Sequence, residues 1–97
     1  MNLKIAPLYS KNFYIFNEFK NSSPLFKEFS QFHSIEKNVK NEMYSSSADL
    51  ANDMRNIFSS IFLNFYNQPE KYNKTLILCE LFEKIYLFYF SFLLYNF

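Results

Sequence analysis

The chain has 97 residues, ten Lys and Arg against nine Asp and Glu for a formal net charge of +1, a single Cys and no Gly or Trp. A chain of this length suits one small domain that buries roughly 60–65% of its unfolded surface, so a core can form without staples. The near-neutral, dispersed charge excludes a basic stripe for nucleic acid, the lone Cys79 excludes an internal disulfide framework, and the lack of glycine excludes a phosphate-cradling glycine loop.

Phe, Tyr, Asn and Lys abound while Arg appears once, as an AT-rich coding sequence tends to yield, so part of the aromatic content reflects codon bias. Met1 to Ser10 lacks a continuous apolar core behind a basic start. No secretory signal is therefore expected, and the default is an intracellular, reducing compartment.

In chain order, Phe13, Tyr14, Phe16, Phe19 and Phe26 line a first helix up to Lys20, broken by Asn21, Ser22, Ser23 and Pro24. His33 to Glu42 reads as a short helix, with Ile35 and Val39 four apart and Lys and Glu on the other faces. The strongest element follows. Ser46 and Asp49 have the spacing of a capping box, with Asp in place of the usual Glu or Gln, which predicts a helix start. Leu50, Met54, Ile57, Phe58, Ile61, Phe62 and Phe65 then recur at spacings that stack on one helical face, with Asn52, Arg55, Asn56, Ser59, Ser60 and Asn64 opposite. A helix over about Ala48 to Phe65, stopped before Pro69, is the expectation.

After the break at Asn67 to Tyr72, a last helix is expected to start near Glu70, whose charge suits the amino-terminal end of the dipole. Its stripe is Leu76, Ile77, Leu78, Leu81, Phe82 and Ile85. The greasy run from Ile85 to Phe97 reads either as the end of that helix or as sequence outside the domain, and the second is the expectation. It is shorter than the roughly 17–25 residues that span a bilayer, and Lys84, Glu83 and Glu80 precede it, so a membrane span is not expected. No strand alternation and no repeat is visible.

Single residues point away from catalysis. His33 stands at a helix start without a partner and reads as a capping or surface residue, and Cys79 reads as a small core or surface residue. Glu80 and Glu83 read as a solvated face paired with Lys84 rather than a metal site. Neither an enzyme activity nor a metal or cofactor is expected.

Ile35, Val39, Tyr44, Leu50, Asp53, Met54, Arg55, Ile57 and Phe58 fall at spacings that resemble the second and third helices of a bromodomain. The DMRxIF pattern at Asp53 to Phe58 is most similar to the tripartite-motif transcriptional intermediary factors and the speckled nuclear-body proteins. Glu70 and Leu81-Phe82-Glu83 resemble the last helix of that family, so the likeness covers residues 32–86. The resemblance implies an all-α, left-handed four-helix bundle, a nuclear, chromatin-associated role in transcription regulation, and acetylated lysine of histone tails as ligand, with other protein partners and no direct nucleic acid. Residues 1–31 are then a diverged or unrelated segment carrying the first helix and its linker, and residues 87–97 an apolar tail.

Acetylation removes the lysine charge, so the side chain enters an apolar pocket without the cost of burying an ion, and one amide donor holds its carbonyl. In the family that donor is an asparagine at the end of the third helix. Here the alignment puts Phe65 in the slot, with Asn64 before it and Tyr66 and Asn67 after it. Phenylalanine has no amide, Asn64 points aside at 100° per residue, and Asn67 reaches the pocket only if the helix runs two residues longer. The family's Trp-Pro-Phe shelf is also missing, since only Pro24, Leu25 and Phe26 stand in that region. The resemblance thus implies weakened acetyl-lysine binding at Asn67, Asn64, Phe65 and Tyr66. The alternatives are a helical interaction module using aromatic surface such as Phe62 and Tyr66, or a truncated fragment without function.

Overall fold

A computed structural model describes the backbone of residues 8–95 and the side chains of residues 11–90. Four α-helices form an all-α bundle: α1 (Leu8–Ser22), α2 (His33–Lys40), α3 (Ser47–Phe65) and α4 (Pro69–Tyr95). Two 3₁₀ turns, η1 (Pro24–Glu28) and η2 (Ser30–Phe32), link α1 to α2. Among the described residues there is no strand. The reading of Met1 to Ser10 falls mostly outside the described residues.

The inward face of α1 differs from the expected one. Ile15, Phe16 and Phe19 are buried together with Asn12, whereas Phe13 and Tyr14 are 43% and 57% exposed. The spacing 12, 15, 16, 19 follows one helical stripe, and residues 13 and 14 lie off it. Asn12 Nδ2 donates a long bond of 3.5 Å to the Ser46 carbonyl, while its Oδ1 is buried without a partner. α1 runs through Asn21 and Ser22, two residues past the expected end at Lys20, and breaks at Ser23-Pro24: Ser23 is extended, as a residue before proline prefers, and its Oγ accepts from the Leu25 N–H at 3.1 Å.

Phe19 is the hub of the core. Its ring lies 5.4–6.2 Å from those of Phe16, Phe26, Phe32, Phe58 and Phe82, edge-on or tilted in every case, the arrangement that aromatic quadrupoles favour. The boundary drawn at residue 32 is therefore not a boundary of packing, because α1 and both turns supply the centre of the same core.

At the end of α2 the chain forms a Schellman turn. Glu42 N–H donates to the Val39 carbonyl at 3.2 Å and Met43 N–H to the Asn38 carbonyl at 2.9 Å, closing the two bonds that define it. Glu42 consequently sits at φ 57°, the left-handed position that glycine usually fills, so the helix stops at Lys40 instead of Glu42. At the start of α3, Ser46 Oγ accepts from the Asp49 N–H at 3.1 Å. No return bond from the Ser46 N–H to the Asp49 carboxylate is among the bonds present, so the box is half-closed; aspartate is one methylene shorter than glutamate.

The faces of α3 are as the periodicity requires: Leu50, Ala51, Met54, Phe58 and Ile61 are buried and Asn52, Arg55, Asn56, Ser59, Ser60 and Asn64 exposed. In α4 the stripe rotates. Thr75, Leu78, Phe82 and Ile85 are buried, while Leu76 is 39% and Ile77 54% exposed. The buried Thr75 is affordable because its Oγ1 donates back to the Lys71 carbonyl at 2.8 Å. The helix begins at Pro69, one residue before Glu70, since proline suits the first helical position.

No break occurs at residue 87. α4 continues as helix, Tyr89 packs against the core, and its hydroxyl donates to Glu18 Oε1 at 3.0 Å, tying it to α1. Side chains of the tail beyond residue 90 lie outside the described residues. No helix among them is long and apolar enough to cross a membrane.

Candidate functional site

The end of α3 is where the candidate residues gather. The buried ridge Leu50, Met54, Phe58, Ile61 continues with Phe65, which is half-buried and packs against the core. One residue earlier, 100° around the axis, Asn64 faces solvent. The α-helix ends at Phe65, although Tyr66 still has helical dihedrals (φ −58°, ψ −26°) as its C-cap. Tyr66 and Asn67 form a turn closed by the Gln68 N–H donating to the Phe65 carbonyl at 2.9 Å, and both side chains are exposed. The helix does not run on to bring Asn67 onto the ridge, and neither Asn64 nor Asn67 makes a side-chain hydrogen bond among the described residues.

Phe65 instead lines a groove of about 120 Å³ with Glu28, Phe29, Ser30, Gln31 and Lys71. The groove runs between the α1–α2 linker and the α3–α4 turn. It is small beside the roughly 300–1,000 Å³ of typical small-molecule pockets. Lys71 Nζ lies 4.8 Å from the centroid of the Phe65 ring, within cation–π range. One turn on, Lys74 bridges Glu28 at 2.8 Å and Glu70 at 3.3 Å. The Glu28 bond, then the Glu70 bond, raises the pKa of the Lys74 ammonium. The first turns of α4 are thereby strapped to the linker.

The other candidates resolve differently. Glu83 pairs with Arg55 rather than Lys84, through two bonds of 2.8 and 2.9 Å between α3 and α4. Cys79 is half-buried, and burial first, then Glu83 and Glu80, pushes its thiol up, which disfavours the reactive thiolate. His33 is exposed. No cluster of metal-ligating side chains is found among the described residues.

Lys71 and the linker residues Glu28 and Gln31 were not among the residues the sequence singled out. Phe65 and Lys71 lie on different helices across a turn, so no single helical period relates them. The linker joins the groove only through the long-range fold.

No protein-family model matches this chain, and neither a curated protein nor a solved structure was found to be similar to it.

Proposed function

We propose that this chain is a bromodomain-like, chromatin-associated module of the nucleus, in which the groove between linker and α3–α4 turn receives a histone-tail peptide and acetyl-lysine binding is weakened. The observation that carries the reading is the position of Phe65: it lies in the groove at the end of the long third helix, where the resemblance puts the amide donor. The order of elements supports the scaffold, with a helix, an irregular linker, a short helix and two long helices joined by a turn.

An acetyl carbonyl buried against Phe65 has no donor there, and an unsatisfied buried acceptor costs about 1–3 kcal/mol. That corresponds to a loss of roughly ten- to a hundredfold in affinity relative to a groove with an asparagine. Titration of acetylated against unmodified histone-tail peptides tests the reading. A small preference for the acetylated form supports it. Binding of neither form removes it.

One observation favours a second reading, a helical interaction module without acetyl-lysine recognition. Leu63 in the last turn of α3 and Tyr66 just after it are 75% and 76% exposed, two large apolar side chains left in solvent at this end of the helix. Recovery of a protein partner that survives Asn67→Ala but not Tyr66→Ser supports that reading.

A further inference from the structure

Opposite its buried stripe, α4 carries an ordered outer face. Thr75, Leu78, Phe82 and Ile85 point into the core, and on the far side Leu76, Ile77, Glu80, Lys84, Leu87 and Phe88 fall within an arc of about 120°. Leu87 and Phe88 are 62% and 61% exposed, the Phe88 ring lying edge-on to Tyr89 at 5.5 Å. None of the six lines the groove at Phe65. Glu80 and Lys84 stand four apart in the order that favours an ion pair along a helix, yet no ion pair joins them among the described residues.

The order of these residues reads alike in both directions. Leu76 and Phe88 each stand six residues from Phe82, Ile77 and Leu87 five, and Glu80 and Lys84 two, with the apolar residues outside and the opposite charges within. Such an order suits a two-fold axis, where one surface must complement itself. With two copies of α4 antiparallel and the axis at the level of Phe82, Ile77 of one copy comes level with Leu87 of the other, Leu76 with Phe88, and Glu80 with Lys84. Each charge then meets its opposite, twice over. A parallel pair would instead set Glu80 against Glu80 and Lys84 against Lys84.

We propose that this face of α4 binds a second copy of the chain, in an antiparallel, two-fold symmetric dimer. The face is about 18 Å long and one helix, about 10 Å, wide. That is small beside the roughly 800 Å² that each partner contributes to a standard interface, so the dimer is weak and reversible. Its Glu80–Lys84 pairs set direction more than strength.

The experiment is sedimentation equilibrium of the full chain from about 5 to about 500 μM, a span that covers weak association, together with Glu80→Lys, Lys84→Glu and an equal mixture of those two variants. The native chain is expected to pass from monomer to dimer over that range. Each single reversal sets like charges level with each other twice per dimer and should weaken it about tenfold, whereas the mixture should regain the native affinity as a heterodimer in which every pair is again opposite in sign. Leu87→Ser should weaken the native dimer by a similar factor. Circular dichroism checks that each variant keeps its helices. A native chain that stays monomeric throughout overturns the proposal and leaves the face to a partner of another kind. A dimer unmoved by either reversal, or a mixture no tighter than its parts, overturns the antiparallel α4 contact.

Discussion

Lys71 reaches across the α3–α4 turn to place its ammonium over the Phe65 ring, which itself rests on the core. One ring thus serves two neighbours, the apolar interior beneath it and a cation above it. Phe65→Ala should therefore cost about 1–3 kcal/mol, less than the 3–5 of a fully buried phenylalanine because the ring is half-exposed. Lys71→Ala should cost no more than about 1 kcal/mol. Urea unfolding of the two variants checks the ranking, and equal losses would contradict it.

Phe19 has no exposed surface and touches five other aromatic rings. Phe19→Ala is expected to remove about 3–5 kcal/mol, a large part of the total stability of a domain this small. The native chain should unfold in one sharp thermal transition by circular dichroism, and Phe19→Ala should broaden or abolish it. Phe13→Ala, on the solvent face of the same helix, should stay within about 0.5 kcal/mol.

Glu42 occupies a left-handed position that costs an ordinary residue about 1–2 kcal/mol. Glycine avoids that cost but loses more freedom on folding, so Glu42→Gly is expected to stabilise by about 0.5–1 kcal/mol. Glu42→Val should do the opposite. A thermal shift of the same sign in both would show that the Schellman turn is not what ends α2.

Glu36 is paired with Lys20, and that hydrogen bond, opposed in part by burial and helped by the charges of Lys20, Lys40 and His33, lowers its pKa below 4.5. The folded carboxyl holds its proton less tightly than the unfolded one. The pair's contribution is therefore fully present above about pH 4.5 and is lost as the pH falls through the lowered folded value. Lys20 is 39% exposed, so solvent screening limits the effect. Glu36→Gln should cost about 0.5–1 kcal/mol near neutral pH and nothing in strong acid, read from urea midpoints at the two pH values.

The sequence disclosed those features that depend on neighbours along the chain. Ser46 with its serine run marked the start of α3, the ridge from Leu50 to Phe65 marked its buried face, and Pro24 and Pro69 marked two breaks. Features that depend on the third dimension were hidden. Phe13 and Phe16 are alike in composition, and only the packing of α1 on α4 decides that one faces water. The Phe-rich end of α4 read as foreign because nothing local announces Glu18, the partner of Tyr89. Phe65 was legible as the last apolar residue of the α3 ridge, whereas Lys71 above it and Glu28 beside it were not, because a turn and a linker separate them in sequence.

The measurement that bears most directly on the site is calorimetric titration of the native chain and of Phe65→Asn with an acetylated histone-tail peptide and its unmodified counterpart. The native chain should distinguish the two forms weakly, and Phe65→Asn, with an amide at the end of the buried ridge, should bind the acetylated form about tenfold or more tightly than the native chain does. Circular dichroism establishes that the variant keeps its helices. Strong acetyl-selective binding by the native chain, or no gain in a folded Phe65→Asn, would contradict the assignment of this groove.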